Sequence, residues 1–301
     1  MMPQLPSPVG LKMPIEWRDS AQWRELAGPH RNLLDYVADA GLTHVEFSCG
    51  GCRGHEERRR IRSEASECAD AGLAVYLHPY MDDPEDPCRY GRDDRAVQAM
   101  NRTIETATEV AEACSTRCIV VFHPGSASVP QGDADTVSHR RRMVERAGRY
   151  LRALERRARA EGGVTPVVEH QVPPGDDEAL MRVGDTVEEL LEVISDTDLS
   201  LCWDTGHYLR AVVDRGQAET PPEEMFRRTG FVHLHDVVEG ADHRPVTADS
   251  TGPAAFIKGL WERGYDGPVT LEYHEGPMLE RGGLDTAVRT GLRVLSEWAQ
   301  G

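Results

Sequence analysis

Short β-branched and apolar runs alternate eight times with longer amphipathic stretches along this chain, and that rhythm restricts the fold more than any single motif does. The predicted strands are Val9–Ile15, His44–Cys49, Ala74–Tyr80, Cys118–Pro124, Pro166–Gln171, Leu199–Asp204, Phe231–Val237 and Pro268–His274. Helical periodicity is predicted over Ala21–Ala40, Glu56–Ala71, Asp94–Cys114, Thr136–Ala160, Val187–Ser195, Pro222–Arg228, Pro253–Arg263 and Thr286–Ala299.

The punctuation agrees with the rhythm. Three helical stretches run through a glycine straight into the next strand, in AGLTHVEF, AGLAVYL and RGYDGPVTL, where glycine takes the left-handed position past a helix end. Asp185-Thr186 and Thr251-Gly252-Pro253 are the matching start signals. A doubly wound sheet would carry a Gly-rich phosphate turn after its first strand, and GLKMPIEW has none. Uninterrupted alternation over 301 residues, with no low-complexity linker, therefore predicts one (β/α)8 TIM barrel domain spanning residues 1–301.

Charge narrows the partners. The chain carries −17 net, which counts against a phosphate backbone as the partner. Of its 34 basic residues only Lys12 and Lys258 are lysine, so a Schiff-base mechanism has a single strand lysine to draw on, Lys12. No apolar run reaches membrane-span length, MMPQLPSPVG has no export pattern, and seven scattered cysteines suit a reducing compartment. These features predict a cytoplasmic protein.

The chemistry gathers at the strand ends. His78 ends YLHPY, His123 lies in VVFHPGS, Glu169 and His170 in VVEHQ, and Asp204 and His207 in CWDTGH. VHLHD brings His233 and His235, TLEYHE brings Glu272 and His274, and the loop after the seventh strand adds Asp242 and His243. In a TIM barrel that rim is where active sites are built. Strand parity places Glu169 with Val167, Asp204 with Cys202, His233 with Phe231 and Glu272 with Thr270, all facing the barrel interior. Carboxylates so placed repel one another unless a cation joins them, so Glu169, Asp204, His233 and Glu272 are the predicted metal ligands. The mixed oxygen and nitrogen set suits Mn, Mg, Co or Zn.

Other residues have plainer readings. His44 and His139 read as hydrogen-bonded structural residues, and His55 as solvated. Cys49-Gly-Gly-Cys52 is a lone CxxC without a second ligand pair, better explained as a turn than as a zinc or redox site. The arginine clusters near residues 58–62, 140–142 and 156–159 alternate with glutamates and read as solvated helix faces. Trp17 and Trp203 serve either a pocket wall or the core.

From GLTHVEF through HPGS, VVEH, WDTGH and VHLHD to GYDGPVTLE, the chain resembles the xylose-isomerase-like barrel superfamily. That group holds sugar and sugar-phosphate isomerases and epimerases alongside endonuclease IV. Resemblance to the isomerases implies one divalent ion on Glu169, Asp204, His233 and Glu272. It also implies that Glu169 and Glu272 act as the acid/base pair through a metal-stabilised enediolate, and that His207 touches a substrate oxygen. Resemblance to endonuclease IV implies three zinc ions, with His78, His123, His207 and His243 as additional ligands and abasic DNA as substrate. Asp242 would join only with altered spacing, because here it directly precedes His243.

The acidic charge, and the lack of Arg/Tyr loops for penetrating DNA, favour the isomerase expectation and a small polyhydroxylated substrate. HRPVTADSTGPAAF replaces the isomerases' usual Gly-x-Gly-Glu-Ile-Asp-like stretch, which leaves a lyase or dehydratase reaction open. A non-catalytic barrel is disfavoured because both candidate bases are present. The stretch Leu284–Gln300 either completes the barrel or supports a homo-oligomer.

Overall fold

The computed structural model of the protein describes residues 5–28, 30, 32–82, 85–92, 94–128, 136–175 and 179–301. Eight parallel strands close on themselves: β1 Val9–Pro14, β2 His44–Cys49, β3 Ala74–Pro79, β4 Cys118–Phe122, β5 Val164–Glu169, β6 Ser200–Asp204, β7 Thr229–Leu234 and β8 Val269–Leu271. Each strand pairs with the next and β8 returns to β1, so the predicted (β/α)8 TIM barrel is the observed fold.

Alternating side chains build two apolar regions. Ile119, Val121, Val167, Cys202 and Phe231 fill the barrel interior with Tyr76 against them. Their neighbours Val120, Phe122, Val168, Leu201, Trp203 and Val232 turn outward into the core beneath the helices. The interior placement of Val167, Cys202 and Phe231 agrees with the parity reading. Gly10 on β1 shows how tightly the interior fits, since a Cβ there would stand 2.2 Å from the His44 ring.

The helices differ from expectation in three places. The stretch predicted as Ala21–Ala40 is two helices, Ala21–Ala27 and Leu33–Asp39, each started by its own side-chain cap, Ser20 and Asn32. Between β6 and β7, helix Thr205–Arg215 precedes the expected short helix Glu223–Arg228. Its N-cap is Asp204 itself, so strand passes to helix without a loop. A further short helix, Glu275–Glu280, follows β8.

Leu284–Gln300 buries Leu284, Val288, Leu292 and Leu295 and packs against helices Thr251–Glu262 and Glu275–Glu280, so it completes the barrel wall. Two antiparallel strand pairs lie beyond the barrel strands: Ser126–Ser128 with Leu180–Arg182, and Asp236–Val238 with Ala241–Arg244. Among the described residues, no helix is long and apolar enough to cross a membrane.

Candidate metal centre

At the C-terminal mouth, four strands bring their last inward-facing residues to one point. One ligand atom each from Glu169, Asp204, His233 and Glu272 lies within 4.8 Å of the others, and all four residues are buried. His233 Nδ1 is the hub: 2.6 Å from Glu272 Oε2, 3.0 Å from Glu169 Oε1 and 3.7 Å from Asp204 Oδ2. Register explains the convergence, because Asp204 pairs with His233 across β6–β7 and His233 with Thr270 across β7–β8.

The electrostatics are those of closely packed opposite charges. Burial would raise the Glu169 pKa, but His78, His123 and His233 hold it well below the usual carboxylate range. Burial likewise opposes ionisation of Glu272, and His233 with Lys12 overcomes it. For His233, burial would lower the pKa, yet the Cys202 thiol and the carboxylates of Glu272, Glu46 and Glu169 hold it well above the ordinary imidazole value. Several buried atoms lack a directed hydrogen bond despite these close approaches, among them Glu169 Oε2, Glu272 Oε2 and His243 Nδ1. A divalent cation would satisfy such a set of carboxylate and imidazole lone pairs, so the residues fit a metal ion.

The additional histidines flank this centre. His78, His123 and Glu169 form one neighbouring trio, with His123 Nε2 2.6 Å and His78 Nε2 3.1 Å from Glu169 Oε2. On the other side His207, His235 and His243 form a second trio. His207 is anchored by its Nδ1 to the His170 carbonyl at 2.9 Å, and its backbone N–H donates to Asp204 Oδ1 at 2.7 Å. His243 stacks between His235 and His274, at 4.2 and 4.0 Å between ring centroids, with its backbone at φ 51°. A non-glycine residue held in the left-handed region stores strain, which clusters at functional sites. Asp242 is not among the groups whose ligand atoms converge.

Two participants, Glu46 and Trp23, lay outside the sequence expectations, and a third, His235, was expected only as a strand-end histidine. His235 bonds Asp204 through Nε2, and Gly206 makes room for its ring, since a Cβ there would stand 2.0 Å from His235 Cε1. The glycine of WDTGH therefore has a packing reason. Glu46 on β2 meets His233 from below. Trp23 lines a cavity of about 210 Å³ at the mouth together with Lys12, Tyr80, Glu272, His274 and Glu275. A larger cavity of about 650 Å³, lined by Pro6, Val9, Asp39 and Leu292, lies at the other end of the strands, away from these groups.

Lys12 is ion-paired. Its Nζ stands 2.5 Å from Glu272 Oε1, and although burial would lower its pKa, Glu272 holds it well above the ordinary lysine value. With Nζ engaged by Glu272 and by the Tyr80 hydroxyl at 3.0 Å, Lys12 is placed as an ion-pair partner of a site carboxylate. Trp203 packs with Phe226, Phe256 and Tyr208 in the core, and Trp17 bonds Glu64, so neither walls the pocket. Cys49 and Cys52 are buried free thiols and belong to no candidate ligand group among the described residues.

The sequence pattern of the xylose isomerase-like TIM barrel family matches residues 34–298. The chain belongs to this family. No curated protein matches it. Solved structures similar to this xylose isomerase-like barrel include L-ribulose 3-epimerase, 17% identical with a TM-score of 0.65 over 97% of this chain and 96% of that one. Mannonate dehydratase from Streptococcus suis serotype 2 is 13% identical with a TM-score of 0.67, covering 98% and 95%. SacUVDE is 9% identical with a TM-score of 0.54, covering 97% and 98%. At such identities the likeness speaks for the fold, and the reaction must be argued from the site.

Proposed function

We propose that this barrel is a divalent-metal-dependent isomerase or epimerase of a small polyhydroxylated compound (a sugar, sugar phosphate or cyclitol), acting in the cytoplasm as one domain. The observation that carries the reading is that Glu169 and Glu272 approach the same His233 nitrogen, at 3.0 and 2.6 Å, beside an open cavity. Glu169, Asp204, His233 and Glu272 would hold one ion of the Mn, Mg, Co or Zn type. Such an ion would supply the Lewis acidity that makes a C–H between two substrate oxygens removable.

The chain's own groups do the rest. Glu169 ends β5 and Glu272 follows β8 and lines the cavity, so a substrate carbon held between them would lose its proton to one and regain it from the other. Lys12 holds Glu272 ionised and oriented through Oε1, so that Oε2, 2.6 Å from His233 Nδ1, faces the centre as the proton acceptor. His207 offers Nε2 to a substrate oxygen because its Nδ1 is already engaged by the His170 carbonyl. Trp23, fixed by its Nε1 donating to Glu275 at 2.7 Å, gives the cavity an apolar wall for the substrate's C–H face.

A second reading has its own support. The two flanking trios, His78 and His123 with Glu169 and His207 with His235 and His243, supply ligands for further ions, as a three-zinc hydrolase of abasic DNA would need. The net charge of −17 opposes it. Incubation with ketoses and cyclitols in D2O and Mn2+ separates the readings. Deuterium entering a substrate at the carbon beside its carbonyl, and failing to enter with Glu169→Gln, is the expected result. No exchange into any of them, with nicking of apurinic DNA by zinc-loaded protein, would reverse the order.

A further inference from the structure

One buried carboxylate has no role in the reaction just described. Glu46 lies on β2, fully enclosed, level with Lys12 on β1 and Tyr76 on β3. A carboxylate sealed inside a barrel is costly unless something specific receives its charge. Its partner is His233: Nε2 donates to Glu46 Oε1 and Oε2, both at 2.9 Å. Oε1 also lies 3.1 Å from His78 Nδ1.

The geometry matters because an imidazole's two nitrogens point in different directions. With Nε2 of His233 engaged from below, Nδ1 must point up, to where Glu169 and Glu272 converge. His78 Nδ1 makes no directed hydrogen bond to the Glu46 carboxylate, and Nε2 of the same ring lies 3.1 Å from Glu169 and 3.0 Å from His123 Nε2. We propose that Glu46 is a positioning residue: one carboxylate inside the barrel sets the ring orientation of His233, so that it presents Nδ1 to Glu169 and Glu272. This rests on the reading of the mouth as a metal centre. Carboxylates that orient metal-bound imidazoles in this way typically contribute 10–100-fold in metal affinity.

The test is calorimetric titration of Mn2+ into chelator-treated parent, Glu46→Gln and Glu46→Leu proteins, with unfolding temperatures measured alongside. Gln keeps an acceptor for His233 Nε2 and Leu does not, so the expected order of affinity is parent, Gln, Leu, with Leu weaker by about 10–100-fold. Equal affinity for Leu and parent overturns the positioning role while leaving the centre standing. A parent that binds no divalent ion removes the centre and the proposal together. Where Glu46→Leu fails to fold, 15N NMR of the zinc-loaded parent decides. The expected His233 has its proton on Nε2 and none on Nδ1, and the opposite tautomer overturns the proposal.

Discussion

Lys12 Nζ stands 2.5 Å from Glu272 Oε1 and 3.0 Å from the Tyr80 hydroxyl, forming a buried ion pair between the first strand and the end of the last. The pair closes the barrel electrostatically where β1 meets β8, and it keeps a cation beside a cluster of carboxylates. Replacing Lys12 with Met leaves Glu272 without that cation. A loss of about 3–5 kcal/mol is expected for a broken buried pair. Urea unfolding of the chelator-treated protein measures it, and added Mn2+ should recover part of the loss.

Removing either proposed base should act on the rate. Glu169→Gln and Glu272→Gln keep the side-chain volume and lose the proton acceptor, so a drop of about 10²–10⁴-fold in turnover is expected for each. Deuterium washout from a labelled substrate reads that drop directly, with circular dichroism as the control for folding.

Gly206 allows a packing prediction at the same mouth. A Cβ there would meet His235 Cε1 at 2.0 Å, so Gly206→Ala must push the His235 ring away from Asp204. Overpacking of this kind costs about 1–3 kcal/mol. The expected result is a lower unfolding temperature together with weakened metal binding, where a substitution far from the mouth would change only the former.

Acid should destabilise the protein before its carboxylates are protonated. His44, buried against Thr270 with Nε2 2.9 Å from its hydroxyl, has its pKa lowered to about 3 by burial. The unfolded chain takes up that proton near the ordinary value of about 6.5, so between these limits it binds more protons than the folded chain and stability falls as pH drops. Glu46 adds a lower window: burial opposes its ionisation, but His233 brings its pKa down to about 2. Its contribution is present above the ordinary carboxylate value and disappears as pH falls toward about 2. Urea midpoints measured across pH should show the first decline, to which buried His170, lowered to about 3, adds, so His44→Gln should make it shallower without abolishing it.

The barrel was legible because β4 and β5 alternate inner and outer apolar residues, as Val121 and Val167 do against Val120 and Val168. The strand-end carboxylates and histidines were legible for a related reason: each terminates such a pattern. Glu46 was not, because in HVEFSC it sits mid-strand, where a sequence gives no sign of the imidazole above it. His235 was visible as a strand-end histidine, but its bond to Asp204 depends on register between β6 and β7. Helix Thr205–Arg215 was missed because its cap, Asp204, was read only as a ligand, although Asp-Thr-Gly-His is also a helix start. Trp23 reaches the mouth through a tertiary contact with Glu275, 252 positions away.

Anomalous diffraction from crystals soaked in Mn2+ tests the central claim most directly. A peak about 2.0–2.4 Å from side-chain atoms of Glu169, Asp204, His233 and Glu272 together is expected. A peak held elsewhere, or none in that mouth, contradicts the account.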